Sequence, residues 1–119
     1  MRALIPADVP VALQNDNVEV RLAEVGEMTA GFFRLAAGTD LGPALAGLEG
    51  GHCPCPHWGY MLSGSLVMRT PAGEQTFRAG EAFYWAPGHA PVAMEDCSYI
   101  DFSPTAELRM VLDHIASQG

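Results

Sequence analysis

The sequence contains no lysine. That excludes a protein-borne Schiff base and a phosphate loop built around its lysine. The six basic residues are all arginine (2, 21, 34, 69, 78 and 109), scattered against 14 acidic residues, for a net charge of −8. Phosphate-backbone binding needs concentrated positive charge, so nucleic acid is not an expected partner. No apolar run approaches bilayer length, and Pro6 breaks the opening stretch too early for a signal-peptide core. No membrane partner is expected, and the expected location is the cytoplasm. Cysteine is sparse and odd in number, three in all, which is not a disulfide framework. Reduced thiols are expected, with Cys97 a lone half-buried one. A Ser-His-Asp signature and a GxGxxG loop are also missing.

What is present describes a folded globule. The 119 residues are 49% hydrophobic and 17% charged, which suits one domain spanning 1–119 with a single core and argues against disorder. Val18 to Val25 alternates apolar and polar, and Thr29 to Ala36 is a second strand, giving N-terminal strands over 18–36. From His52 to Phe102 short apolar stretches are separated by Ser63-Gly64, Pro71-Ala72-Gly73, Ala79-Gly80, Pro87-Gly88 and Asp96-Cys97. That punctuation predicts an all-β sandwich or barrel. Ser103-Pro104 reads as an N-cap and first helical residue. Leu108, Val111, Leu112 and Ile115 then mark one stripe of a helix over 104–117, expected on the outside of the sheet or on a neighbouring subunit.

On this frame the segment from His52 to Phe102 resembles the cupin superfamily. Tyr60-Met61-Leu62-Ser63-Gly64-Ser65-Leu66 is similar to the strand and turn of the first cupin motif, and Ala79 to Gly88 to the second. The resemblance implies a small double-sheet β-barrel of jelly-roll type, with a C-terminal helix. It also implies metal slots, and these are altered. His57 stands where cupins carry a glutamate, Gly51 and Cys53 stand at or beside the histidine pair, and Pro91 occupies the second-motif histidine slot, two residues after His89.

The run Cys53-Pro54-Cys55-Pro56-His57 places three potential ligands at alternate positions. On a regular strand the outer two would lie about 13 Å apart, too far to share an ion. Pro54 and Pro56 cannot donate to a ladder and restrict the residues before them, so a bend able to converge the side chains is expected. The preferred site is Cys53, Cys55, His57 and His89, whose thiolates and imidazoles favour zinc over hard cations. The His/Glu set typical of cupin oxygenases is missing, which disfavours iron. The competing reading makes the cysteines small buried hydrophobes and His57 a core histidine. His52 is a reserve ligand in a glycine-rich loop, and His114 is expected in solvent.

Trp58 to Leu62 and Ala82 to Ala86 are apolar on both faces. Tyr60, Met61, Phe83 and Trp85 are expected to line a pocket for a small organic molecule, and the outward-facing partners to need a second subunit, hence a homodimer. Two functional readings follow. One is a metal-assisted isomerase, cyclase or hydrolase; the other is a non-catalytic binding or sensory module with a structural or vacant Cys/His site. No catalytic residue is assigned. Glu95, Tyr60 and His52 are the acid–base groups considered beside the metal, whereas Glu81 and Asp101 read as strand-end carboxylates without an evident partner.

Overall fold

Period-two burial sets the strands. In the last strand, Cys97, Tyr99, Asp101 and Ser103 all face inward while their neighbours are less buried. The computed structural model describes residues 1–118. Nine strands are assigned among them: β1 (Val11–Gln14), β2 (Val18–Val25), β3 (Met28–Leu35), β4 (His57–Ser63), β5 (Ser65–Thr70), β6 (Gly73–Arg78), β7 (Ala82–Trp85), β8 (Ala90–Ala93) and β9 (Cys97–Pro104). They form an antiparallel six-stranded sheet ordered β1-β2-β3-β9-β4-β7 and a three-stranded sheet ordered β6-β5-β8. One helix, α1 (Thr105–Gln118), follows β9 directly.

The main core lies between the sheets, where Met61, Leu66, Met68, Phe83, Trp85 and Tyr99 meet. Phe83 and Trp85 stack at 3.7 Å and 8°, and Tyr99 meets the Trp85 ring edge-on at 5.0 Å. Burying a large apolar side chain of this kind contributes about 1.5–3 kcal/mol.

The structure corrects four expectations. β1 was not anticipated, because all four of its residues are exposed and carry no alternation of burial. β8 runs Ala90–Ala93, where the sequence alone places this strand at Val92 to Glu95; Pro91 fits there because β8 is the edge of its sheet. Ser103 and Pro104 are the end of β9, not the start of a helix, since Ser103 is buried and bonded to His57.

The fourth correction concerns α1, which packs across the barrel mouth instead of the outside of a sheet. Its Leu108 and Val111 join Leu45, Cys53 and Cys55 in a second core cluster. The ends of the helix are fastened on both sides. Thr105 Oγ1 lies 2.8 Å from Thr29 Oγ1, Arg109 pairs with Glu24, and His114, expected in solvent, reaches the carbonyl of Ala46 at 2.6 Å.

Candidate metal centre and cavity

The proline-spaced run does bend. Cys55 sits at a backbone bend between the single bridge residue Cys53 and the start of β4 at His57. Cys53 is clamped to the Pro87-Gly88 turn: its N–H donates to the carbonyl of His89 at 2.7 Å, and its carbonyl accepts from Gly88 N–H at 2.8 Å. Two segments more than 30 residues apart thereby meet at their chemically active ends. Cys53 Sγ stands 3.6 Å from His57 Nε2, where an unbent strand would have separated the residues by about 13 Å. The His57 and His89 rings are 4.9 Å apart. One donor atom from each of Cys53, His57 and His89 lies within 4.8 Å of the others, and all three residues are buried.

Cys55 does not join this group. Its thiol faces the carbonyl of Pro56 at 3.5 Å, and the residue is wholly buried in the cluster under α1. It packs there as a small hydrophobe. His52 is half-buried next door, where its charge adds to the burial that lowers His89. Glu95 is exposed and accepts a hydrogen bond from Ser65 Oγ at 2.7 Å.

The three clustered side chains suit zinc. Two donors on one tetrahedral zinc, with bonds of about 2.0–2.3 Å, stand roughly 3.3–3.7 Å apart. The Cys53–His57 separation already falls in that range. His89 Nδ1 lies 2.6 Å from the carbonyl of Ala86, which can only accept, so Nδ1 carries the proton and Nε2 is free to ligate. His57 Nδ1 lies 2.6 Å from Ser103 Oγ; with Nδ1 donating there, Nε2 turns its lone pair toward Cys53. Burial holds both imidazoles neutral, lowering His57 to about 3, with His89 adding to the effect. Burial pushes the Cys53 thiol up to about 11, so a metal bound there would have to displace its proton.

Asp101, which the sequence suggests is a strand-end carboxylate without a partner, lies instead inside β9 and against His57. It is 3% exposed, and its Oδ2 is 3.6 Å from His57 Nδ1. Burial disfavours an ion pair at this contact, since it raises Asp101 well above the usual carboxylate range while it lowers His57. Asp101 pairs across the sheet with Gly31 on one side and Gly59 on the other. A Cβ at Gly31 would come 2.6 Å from Asp101 Oδ1, so glycine leaves the space this carboxyl occupies. The signal was present in the sequence: Asp101 shares the parity of Cys97 and Tyr99.

A cavity of about 440 Å³ opens beside this group. Cys53, His57, His89 and Asp101 are in its wall, with the α1 residues Leu108, Val111 and Leu112 opposite as an apolar cover. Of the four expected pocket residues only Trp85 lines it. Met61 and Phe83 face inward but into the packed core, and Tyr60 is 44% exposed on the outer face of β4. The parity of β4 decides this: His57 and Met61 turn in, while Trp58, Tyr60 and Leu62 turn out. Among the described residues, Trp85 Nε1 is the one buried side-chain nitrogen or oxygen without a hydrogen-bond partner.

Two antiparallel sheets closed by a helix, with a buried Cys/His/His group at the cavity wall, define a small β-barrel with a candidate metal site. The chain has the cupin fold. It is similar over 85% of its length to a RmlC-like cupin from Shewanella frigidimarina, covering 88% of that chain at 14% identity and a TM-score of 0.62. It is also similar to the polyketide cyclase RemF from Streptomyces resistomycificus (15% identity, 87% of this chain and 79% of that chain, TM-score 0.61). A sugar phosphate isomerase of the cupin superfamily from Silicibacter pomeroyi gives 15% identity, 87% and 75% coverage and a TM-score of 0.61. By sequence, the chain matches no family model and no curated protein.

Proposed function

We propose that the protein holds one zinc ion through Cys53 Sγ, His57 Nε2 and His89 Nε2 and acts on a small organic molecule in the adjoining cavity. The convergence of those three buried donors within 4.8 Å, at the wall of a 440 Å³ cavity, carries this reading. Three protein ligands leave a fourth position, the arrangement of catalytic rather than structural zinc sites. Zinc bound there would supply Lewis acidity toward a ligand oxygen.

The chain's own residues do the rest. Ser103 fixes the ring of His57. The apolar cover from α1 keeps water from the site. Asp101, whose carboxyl burial pushes well above the usual carboxylate range, is the wall residue able to hand a proton to a bound molecule. Isomerisation or cyclisation fits such a site, and similar folds include an isomerase and a cyclase. A non-catalytic binding module is the second reading, favoured by the 3% exposure of Asp101. We further propose a homodimer built on the outer sheet face around Trp58 and Tyr84, and a reducing compartment, the cytoplasm, which suits three free buried cysteines.

Elemental analysis of protein purified without added metal tests the site. About one zinc per chain is expected, lost in Cys53→Ala and His57→Ala but kept in Cys55→Ala. Zinc-free wild-type protein whose melting temperature does not move when zinc is added would sink the proposal.

A further inference from the structure

The walls of the cavity specify a class of ligand. We infer that it takes an uncharged, largely apolar molecule of one or two rings bearing an oxygen at one end, such as an aryl ketone, and rejects carboxylates and sugar phosphates. The inference rests on the zinc reading for the contact at the oxygen end, but its selectivity comes from the wall alone.

Charge is the first argument. Lysine is missing from the chain, and none of the six arginines lines the cavity. The ionisable carboxyls in its wall are Asp101 and Asp113. An anionic head entering this space would lose its hydration and meet no cationic side chain, the one positive charge within reach being the proposed zinc, offset in part by the Cys53 thiolate. Phosphate sites use arginine, lysine or a helix N-terminus. Here α1 contributes to the wall from Leu108 onward, not from its first turn.

Apolar surface is the second argument. Val20, Leu41, Leu45, Val111, Leu112 and Ile115 make a continuous aliphatic lining. The hydrogen-bonding groups are gathered instead around His57, with Cys53 Sγ at 3.6 Å on its Nε2 side and Asp101 Oδ2 at 3.6 Å from Nδ1. Trp85, in the same wall, adds an indole N–H that has no partner. A polyhydroxylated ligand would leave most of its hydroxyls facing hydrocarbon, whereas a molecule with one acceptor would not.

The two tryptophans, Trp58 and Trp85, allow a direct readout, since Trp58→Phe leaves Trp85 as the sole indole fluorophore. Titration of that variant with 1-tetralone, 1-naphthoate and glucose 6-phosphate compares a neutral ketone, a carboxylate of similar size and a sugar phosphate. Saturable 1:1 binding of tetralone to the EDTA-treated protein, at least tenfold tighter than naphthoate, with no response to glucose 6-phosphate, is the expected result. Absence of saturable tetralone binding, or either anion binding as tightly, would overturn the inference. Ala44→Lys, on a short turn in the cavity wall, should raise naphthoate affinity about tenfold; no gain would remove charge as the basis of selection. Running each titration with zinc-loaded and EDTA-treated protein separates the two ideas. Tetralone preference without zinc uptake fails the metal site alone, and zinc uptake with anion preference in the EDTA-treated protein fails the ligand class alone.

Discussion

Asp101 owes its place to its neighbours: glycines at 31 and 59 flank it across β3 and β4, its carboxyl filling the room at Gly31 while the Phe83 ring and the β9 backbone close on Gly59. Around it the protonation states of the site follow from burial, and two predictions belong here. At pH 7 both histidines are already neutral and Cys53 is a thiol, so zinc binding should release about one proton. Calorimetry in buffers of different ionisation enthalpy reads that number. A value near two would bring Cys55, whose thiol burial pushes up to about 12, into the ligand set. The second concerns acid stability of the metal-free protein. His57 is lowered from 6.5 to about 3, so the unfolded chain binds the extra proton in that window. Stability is therefore full above 6.5 and falls as pH drops toward 3. By pH 5.5 His57 alone should cost about 1.4 kcal/mol, at about 1.36 kcal/mol per pH unit. Urea unfolding of EDTA-treated protein at pH 7.5 and 5.5 measures it, and His57→Gln should show the smaller difference.

At the scale of elements, the two decisive pieces are the bend at Cys55 and the position of α1. The bend exists because Pro54 and Pro56 take no part in a ladder, leaving Cys53 free to bridge backbone-to-backbone with His89. The helix then covers the cavity those residues border, with Leu108 and Val111 on the Cys53–Cys55 segment. Leu108 is 7% exposed, so Leu108→Ala should cost roughly 2–5 kcal/mol through lost burial and a cavity that cannot fully collapse. Chemical denaturation checks the cost. Zinc stoichiometry should survive, since Leu108 supplies no donor atom; a variant of unchanged stability would mean that the helix is not seated on the mouth.

Across the whole molecule, the outer face of the six-stranded sheet stands out. Trp58 is paired with Tyr84 on one side and Phe102 on the other, and Tyr60 and Leu62 extend the same face. All five are at least 39% exposed. This exposed apolar patch is the face on which the proposed dimer would form, and a stable dimer needs about 800 Å² from each partner. Sedimentation equilibrium should therefore give twice the 12.7 kDa chain mass, and Tyr84→Glu should halve it. A monomeric wild-type protein at micromolar concentration would rule the dimer out.

Turn residues and alternation were enough to read the β architecture and most strand positions, because Gly and Pro punctuate the chain wherever it must reverse. The same local logic explains why the prolines bend the Cys53–His57 run. Locally apolar faces left other questions open. Trp58 to Leu62 is apolar on both sides, so only the packed sheets decided that Met61 lies inside and Tyr60 outside. β1 carried no burial pattern to read. The choice of Cys53 over Cys55, the seat of α1 over the cavity and the partnership of Asp101 with His57 join residues far apart in sequence, or separate residues two apart, through backbone pairing and burial. Sequence determined which donor atoms the chain has; only tertiary structure decided which of them meet, because the distances that matter to a metal are set by pairing between distant strands.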